Sequence, residues 1–185
     1  MPESIINLSA GVQAWSFRHK LVRSLWIVSW TLFGKPGPRR FSPLRCWLLR
    51  LFGAEIGKRV LFCGNVDVLM PWNLRVGDEA AIAEHVNIYN FAQVEIGQNS
   101  SISQGCWICT GTHDYTHPHM PLIWAAINIG SECWVAADVF IAPGVSLGNG
   151  SVIGARSVVT KDVPEWMVCA GHPCKPIKSR LLKNI

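Results

Sequence analysis

Between residues 129 and 164 the chain reads IGSECW, VAADVF, IAPGVS, LGNGSV, IGARSV and VTKDVP, six blocks of six residues. Ile129, Val135, Ile141, Leu147, Ile153 and Val159 open the blocks without exception, and Gly130, Gly148 and Gly154 follow three of them. The fifth positions, Cys133, Val139, Val145, Ser151, Ser157 and Val163, are all small or β-branched. A helix face recurs about every 3.6 residues and a strand face every second residue, so neither accounts for a period of six. A parallel β-helix does. Each block supplies a short strand and a turn, three blocks close one coil, and the opening aliphatic stacks on its equivalents in neighbouring coils.

The same period runs upstream. Val76, Ile82 and Ile88 are in register, two extra residues follow, and Ile96, Ile102 and Ile108 resume it. Ile56-Gly57 is expected to open a first, irregular coil. From Ile108 to Ile129 the spacing is 21, so about one coil edge is expected to be replaced by an excursion. That excursion contains TGTHDYTHPHMPLIW, residues 110–124, with His113, His117 and His119. A regular scaffold that breaks where His, Asp, Tyr and Trp collect marks a candidate functional site.

Seven cysteines, an odd number, and no cleavable signal pattern point to reduced thiols in a cytosolic protein. CWIC (106–109) has the look of a redox or zinc pair, but the register sends Cys106 into the coil and Cys109 outward. Cys169 and Cys174 flank a Gly/Pro turn and make a poor zinc site, which wants four ligands.

Residues 13–52 differ in kind. AWSFRHKLVRSLWIVSWTLF is apolar but broken by charges, too short between them to span a bilayer, and reads as an amphipathic helix ended by GKPGP. Such a helix is expected to pack on the coil or a neighbouring subunit, with a place in a membrane interface as the alternative. PRRFSPLRCWLLRLFG reads as a second short helix capped at Gly53. Charge follows the same division. Residues 1–60 hold ten Lys/Arg against two acids, residues 61–160 two against eight, and residues 161–185 five against two. A uniformly basic nucleic-acid binder does not look like this, so no nucleic-acid partner is expected. The basic ends suit a phosphorylated ligand and an anionic membrane surface or a solvated face.

Blocks of six interrupted near CTGTHDY, followed by WVAADVFIAPGVSLGNGSVIGARSVVTKDVPEWMVCAGHPCKPIKSR, resemble the left-handed β-helix acyltransferases. Within them the chain is similar to the colanic acid biosynthesis branch of the maltose, galactoside and nodulation-factor O-acetyltransferases, over about residues 15–182. The resemblance implies an all-β, left-handed parallel β-helix with a protruding loop and a helical N-terminal segment. The expected parts are residues 1–53, a coil over 54–164 with its loop at 110–128, and a basic tail over 165–185. It further implies a homotrimer with active sites between subunits, acetyl-CoA as acyl donor, no metal, and a sugar acceptor, free or lipid-linked, in exopolysaccharide assembly. The expected location is the cytoplasm, at the inner face of the membrane if the N-terminal segment makes peripheral contact.

The resemblance also assigns roles. His113 is the catalytic base. Relatives use polar side chains of an earlier coil to hold the acceptor or orient the base; Asn87, Asn90 and His85 lie in the matching coil, and Asn87 is chosen among them. Asp114, next to the base in sequence, is a further candidate, beside its reading as an ordinary loop residue. Ala137, Ala142, Ala155 and Ser157 would line the pantetheine, although small residues at such positions also serve packing alone. Lys161, Lys175, Lys178 and Arg180 are candidates for the nucleotide phosphates. His172 and Cys174 depart from the family pattern, which favours a small polar residue and Ala there. Two rivals remain open. A γ-class carbonic anhydrase would hold zinc through histidines such as His85, His113, His117 and His119, though their spacing differs from that family's. A non-catalytic β-helix trimer would act as a scaffold.

Overall fold

A computed structural model describes residues 15–183; positions 1–14 of the expected N-terminal segment and 184–185 of the tail lie outside the described residues. The fold is a left-handed parallel β-helix, all-β among the described residues apart from two α-helices near the N-terminus and short helical turns. Three sheets form its faces, of five, seven and five strands, and every pairing in them is parallel save the last hairpin. The opening aliphatics stack in three columns. The first face carries Ile56, Val76, Ile96, Ile129 and Leu147. The second carries Phe62, Ile82, Ile102, Val135, Ile153 and Cys169. The third carries Val68, Ile88, Ile108, Ile141 and Val159. All of them but Ile56 are buried. The fifth-position residues from Cys133 to Val163 fill the corners between the columns and are buried as well.

Two expectations need correction. The first coil is not irregular: Phe62 and Val68 follow Ile56 at intervals of six, and the coil matches the next in length. Its regularity was hidden because an aromatic residue stands in one aliphatic slot. Nor does the excursion replace a coil edge. Ile108 ends the third face and Ile129 sits on the first, the face due next, so the extra residues are inserted at a corner and every face is kept.

The early coils have two additional residues at that same corner, and a buried amide fills the gap. Asn90 accepts from the Met70 N–H (2.9 Å) and donates to the carbonyls of Met70 (2.7 Å) and Asn73 (3.0 Å). Its side chain stands where backbone pairing between coils is interrupted.

The open base of the coil is covered by α1 (Phe17–Ser29), a π-turn (Trp30–Gly34) and α2 (Ser42–Leu51). Trp26 and Trp30 stack at 4.8 Å, and their indole N–H groups donate to the carbonyls of Val68 and Val66, both at 2.8 Å. Gly34 belongs to this contact, because a Cβ there would overlap the Trp30 ring. Arg45, fully buried, donates to the carbonyls of Gly34, Pro36, Gly37, Pro38 and Phe62 and so holds the GKPGP turn against the first coil. At the other end the basic tail doubles back as a hairpin, Met167–Gly171 with Cys174–Ser179, that extends the second face.

Replacing Asn90 by Leu leaves the Met70 N–H and the Asn73 carbonyl without a partner, each costing about 1–3 kcal/mol, while the Met70 carbonyl keeps the Asn73 N–H at 3.0 Å. Urea unfolding of Asn90→Leu should show a stability loss of at least about 2 kcal/mol with an unchanged slope.

Candidate active site

Thr110 turns the chain out of the third face. It is buried, its N–H and hydroxyl both donate to the Tyr89 carbonyl (3.0 and 3.1 Å), and its hydroxyl accepts from the Ala92 N–H at 3.1 Å. From there Gly111–His113 and Leu122–Trp124 run antiparallel, with His113 opposite Leu122. The Ala125 N–H returns to the Thr110 carbonyl at 3.0 Å and closes the base. Aromatic rings brace it. Tyr89 meets Phe91 edge-on at 4.9 Å, and Phe91 stacks on Trp124 at 6.4 Å. A Cβ on Gly111 would come within 2.8 Å of the Phe91 ring, so only glycine lets the strand lie this close.

His113 projects from the end of this hairpin and is exposed. Its Nδ1 lies 2.6 Å from the Met120 carbonyl. A carbonyl can only accept, so Nδ1 carries the hydrogen and Nε2 presents a lone pair outward in the neutral ring. That is the arrangement a general base requires. Met120 itself adopts a left-handed backbone (φ +42°). Sequence reasoning missed this orienting group, and a backbone carbonyl leaves no trace in residue types. It also missed the bracing set, in which Trp124 joins Tyr89 and Phe91 from far along the sequence.

Asp114 is turned elsewhere. Its Oδ1 accepts from the Thr116 hydroxyl (2.6 Å) and the Thr116 N–H (3.0 Å), forming a local turn. Those two bonds, the hydroxyl's first, hold the carboxyl below its ordinary value. His117 Nδ1 accepts from the His119 N–H at 3.1 Å, and the two rings lie 5.2 Å apart.

Asn87 lies on the third face, half-buried, in register with Trp107, the first residue of the strand that leads into the hairpin. Ala137 and Ala155 stack at the corner between the second and third faces, where the Arg156 N–H donates to the Ala137 carbonyl at 2.8 Å. Ala142 sits at the opposite edge of the third face, the corner from which the hairpin emerges. Ser157 is buried: its hydroxyl donates to the Gly154 carbonyl (2.6 Å) and accepts from the Gly171 N–H (3.0 Å). Lys161, Lys175 and Lys178 are exposed, the latter two on the last strand. Arg180 instead donates to the carbonyls of Glu132 (2.7 Å) and Gly150 (2.9 Å) and lies 5.7 Å over the Trp166 ring. His172 is exposed in the tail turn; burial raises the thiol of half-buried Cys174 above its ordinary value. Cys106 is buried with its thiol pushed up to about 11 by desolvation, whereas Cys109 is half-buried beside the Gly111 carbonyl. A separate groove of about 590 Å³ on the first face, among Glu55, Arg75, Asp78, Glu95 and Gln98, shares no residue with the hairpin.

The family described as bacterial transferase hexapeptide (six repeats) matches residues 126–161. Over 160 residues the chain is 43% identical to the "Putative colanic acid biosynthesis acetyltransferase WcaF" of Escherichia coli (strain K12), covering 86% of this chain and 87% of that protein. A hexapeptide-repeat acetyltransferase from Vibrio cholerae, solved with acetyl coenzyme A, superposes with a TM-score of 0.82 at 24% identity over 96% of both chains. A galactoside acetyltransferase in complex with coenzyme A also gives 0.82, at 26% identity, over 93% of this chain and 88% of that one.

The bonds to Asp114 stabilise the loop tip only while the carboxyl is ionised. Because its folded value is depressed, that contribution is complete above the ordinary carboxylate value, about 4, and is lost as pH falls through the lower folded value. Amide exchange at Thr116, corrected for the intrinsic rate, should be constant above about pH 5 and accelerate below about pH 4. In Asp114→Ala it should be fast throughout.

Proposed function

This chain belongs to the hexapeptide-repeat acetyltransferases and is an acyltransferase, and we propose that it moves an acetyl group from acetyl-CoA to a sugar hydroxyl in exopolysaccharide assembly, with His113 as general base. The observation that carries the proposal is the Nδ1 contact of His113 with the Met120 carbonyl, which leaves Nε2 as a proton acceptor. A sugar hydroxyl is a weak nucleophile at neutral pH. Nε2 takes its proton as the oxygen attacks the thioester carbonyl. Backbone N–H groups along the coil stabilise the tetrahedral oxyanion. Collapse breaks the C–S bond, and the imidazolium returns the proton to the departing thiolate, giving an acetyl ester and free coenzyme A.

In this reading the pantetheine follows the third face between Ala137, Ala155 and Ala142, and Lys161, Lys175 and Lys178 meet the nucleotide phosphates, with Arg180 and Ser157 shaping that end. Asn87 faces the acceptor, a free or lipid-linked sugar, and Asp114 keeps the loop tip in place. The working unit is a homotrimer. An adjacent chain supplies the second wall of the cleft, which fits the exposure of His113 in a single chain. No metal takes part, and the reaction runs in the cytoplasm, at the inner face of the membrane when the acceptor is lipid-linked. The acetyl-CoA and coenzyme A bound by similar solved structures, and the colanic acid relative, support the choice of donor and of a polysaccharide acceptor.

Calorimetry with acetyl-CoA should give saturable binding at about one site per chain, with light scattering reporting a trimer. In His113→Ala that binding should persist while kcat falls by about 10²–10⁴-fold. A folded trimer that binds no acetyl-CoA at millimolar concentration would overturn the proposal, and zinc analysis would then test the carbonic anhydrase alternative.

A further inference from the structure

We propose that the outer faces of α1 and α2 dock on an anionic membrane surface, a partner that goes beyond the transferase reading and does not depend on it. On α1, Phe17, Leu21, Leu25 and Val28 are between 51% and 82% exposed. At about 100° per residue they fall within an arc of about 80°. Leu32, 60% exposed, continues the stripe through the π-turn. The stripe points away from the coil, because Trp26 and Trp30, on the opposite side of the helix, are the residues that pack against it. The second helix repeats the pattern with Leu44, Trp47 and Leu51, all exposed, while Arg45, Cys46 and Leu49 face inward. Apolar stripes of this extent are rarely left to water.

Charge selects the occupant. Residues 15–54 contain eight Lys/Arg and no Asp or Glu. Arg45 is buried on carbonyls, but Arg18 and Lys20 on α1, and Arg39 and Arg40 before α2, are exposed. On the α1 wheel Arg18 and Lys20 flank the apolar stripe on its two sides. Apolar residues and Trp toward the acyl boundary, with basic residues beside them at headgroup level, is the composition of an interfacial helix pair. Among the described residues no helix is long and apolar enough to cross a membrane, so the pair lies in the interface plane. The same positive charge opposes pairing of this face with itself in a second copy.

The test is co-sedimentation of the full chain with phosphatidylcholine vesicles, with and without phosphatidylglycerol. Binding is expected only to the anionic vesicles and should weaken with salt. It should fall at least about tenfold in Leu25→Asp/Leu32→Asp and, separately, in Arg39→Gln/Arg40→Gln, with acetyl-CoA binding and assembly mass unchanged. Absence of vesicle binding by the wild-type chain, or binding that neither variant weakens, would overturn the proposal. So would a changed assembly mass in the Leu variant, which would identify a second copy as the cover. Loss of acetyl-CoA binding by the wild-type chain would count against the transferase reading alone.

Discussion

Each coil of this protein buries its opening aliphatics against the coils on either side, so no coil is stable by itself and both ends of the stack need a cover. Ile82, Ile102, Val135 and Ile153 illustrate the constraint on one face: each is fully buried, and each is in register with the next. Burying such a side chain contributes about 1.5–3 kcal/mol, but only when its neighbours are in place. The covers are therefore integral parts of the fold. Trp26 and Trp30 close the base through ring packing and two indole hydrogen bonds, and the Met167–Gly171 hairpin continues the second face at the far end.

A stack this regular has few places to hold an active site, since inward positions are filled and the strands up to Val159 are two or three residues long. The insertion at one corner solves the problem without disturbing the columns. Ile108 and Ile141 still pair across it, so the scaffold loses nothing by the excursion. The hairpin then inherits rigidity from below, through Thr110 and the rings of Tyr89, Phe91 and Trp124, and directs His113 by its own Met120 carbonyl. The helical cover has a parallel division: one side closes the coil, and the other carries the apolar and basic residues assigned to a membrane.

The coil was legible because burial repeats. An inward slot recurring every six residues favours aliphatic side chains, and a run such as Ile129 to Val159 has no competing reading. The same pattern understated the first coil, where Phe62 fills an inward slot, and misjudged the excursion, because spacing alone does not say whether residues replace a face or are added at a corner. In the candidate site, His113 stood out by residue type and by its place in the break. Asp114, equally polar and adjacent, is bonded to Thr116 instead. Arg180 and Ser157, chosen as ligand contacts, have hydrogen bonds to the protein's own backbone that only the folded chain reveals.

Periodicity and composition by themselves determined the coil, its inward columns, the break at 110–128 and the basic, acid-free N-terminal stretch, because each is a property of residue type at fixed spacing. The tertiary structure decided which ring nitrogen of His113 is free, which rings brace the hairpin, and which side of α1 meets the coil. These depend on backbone carbonyls and on side chains brought together from neighbouring coils and from the helical cover, and such contacts exist only once the chain has closed on itself.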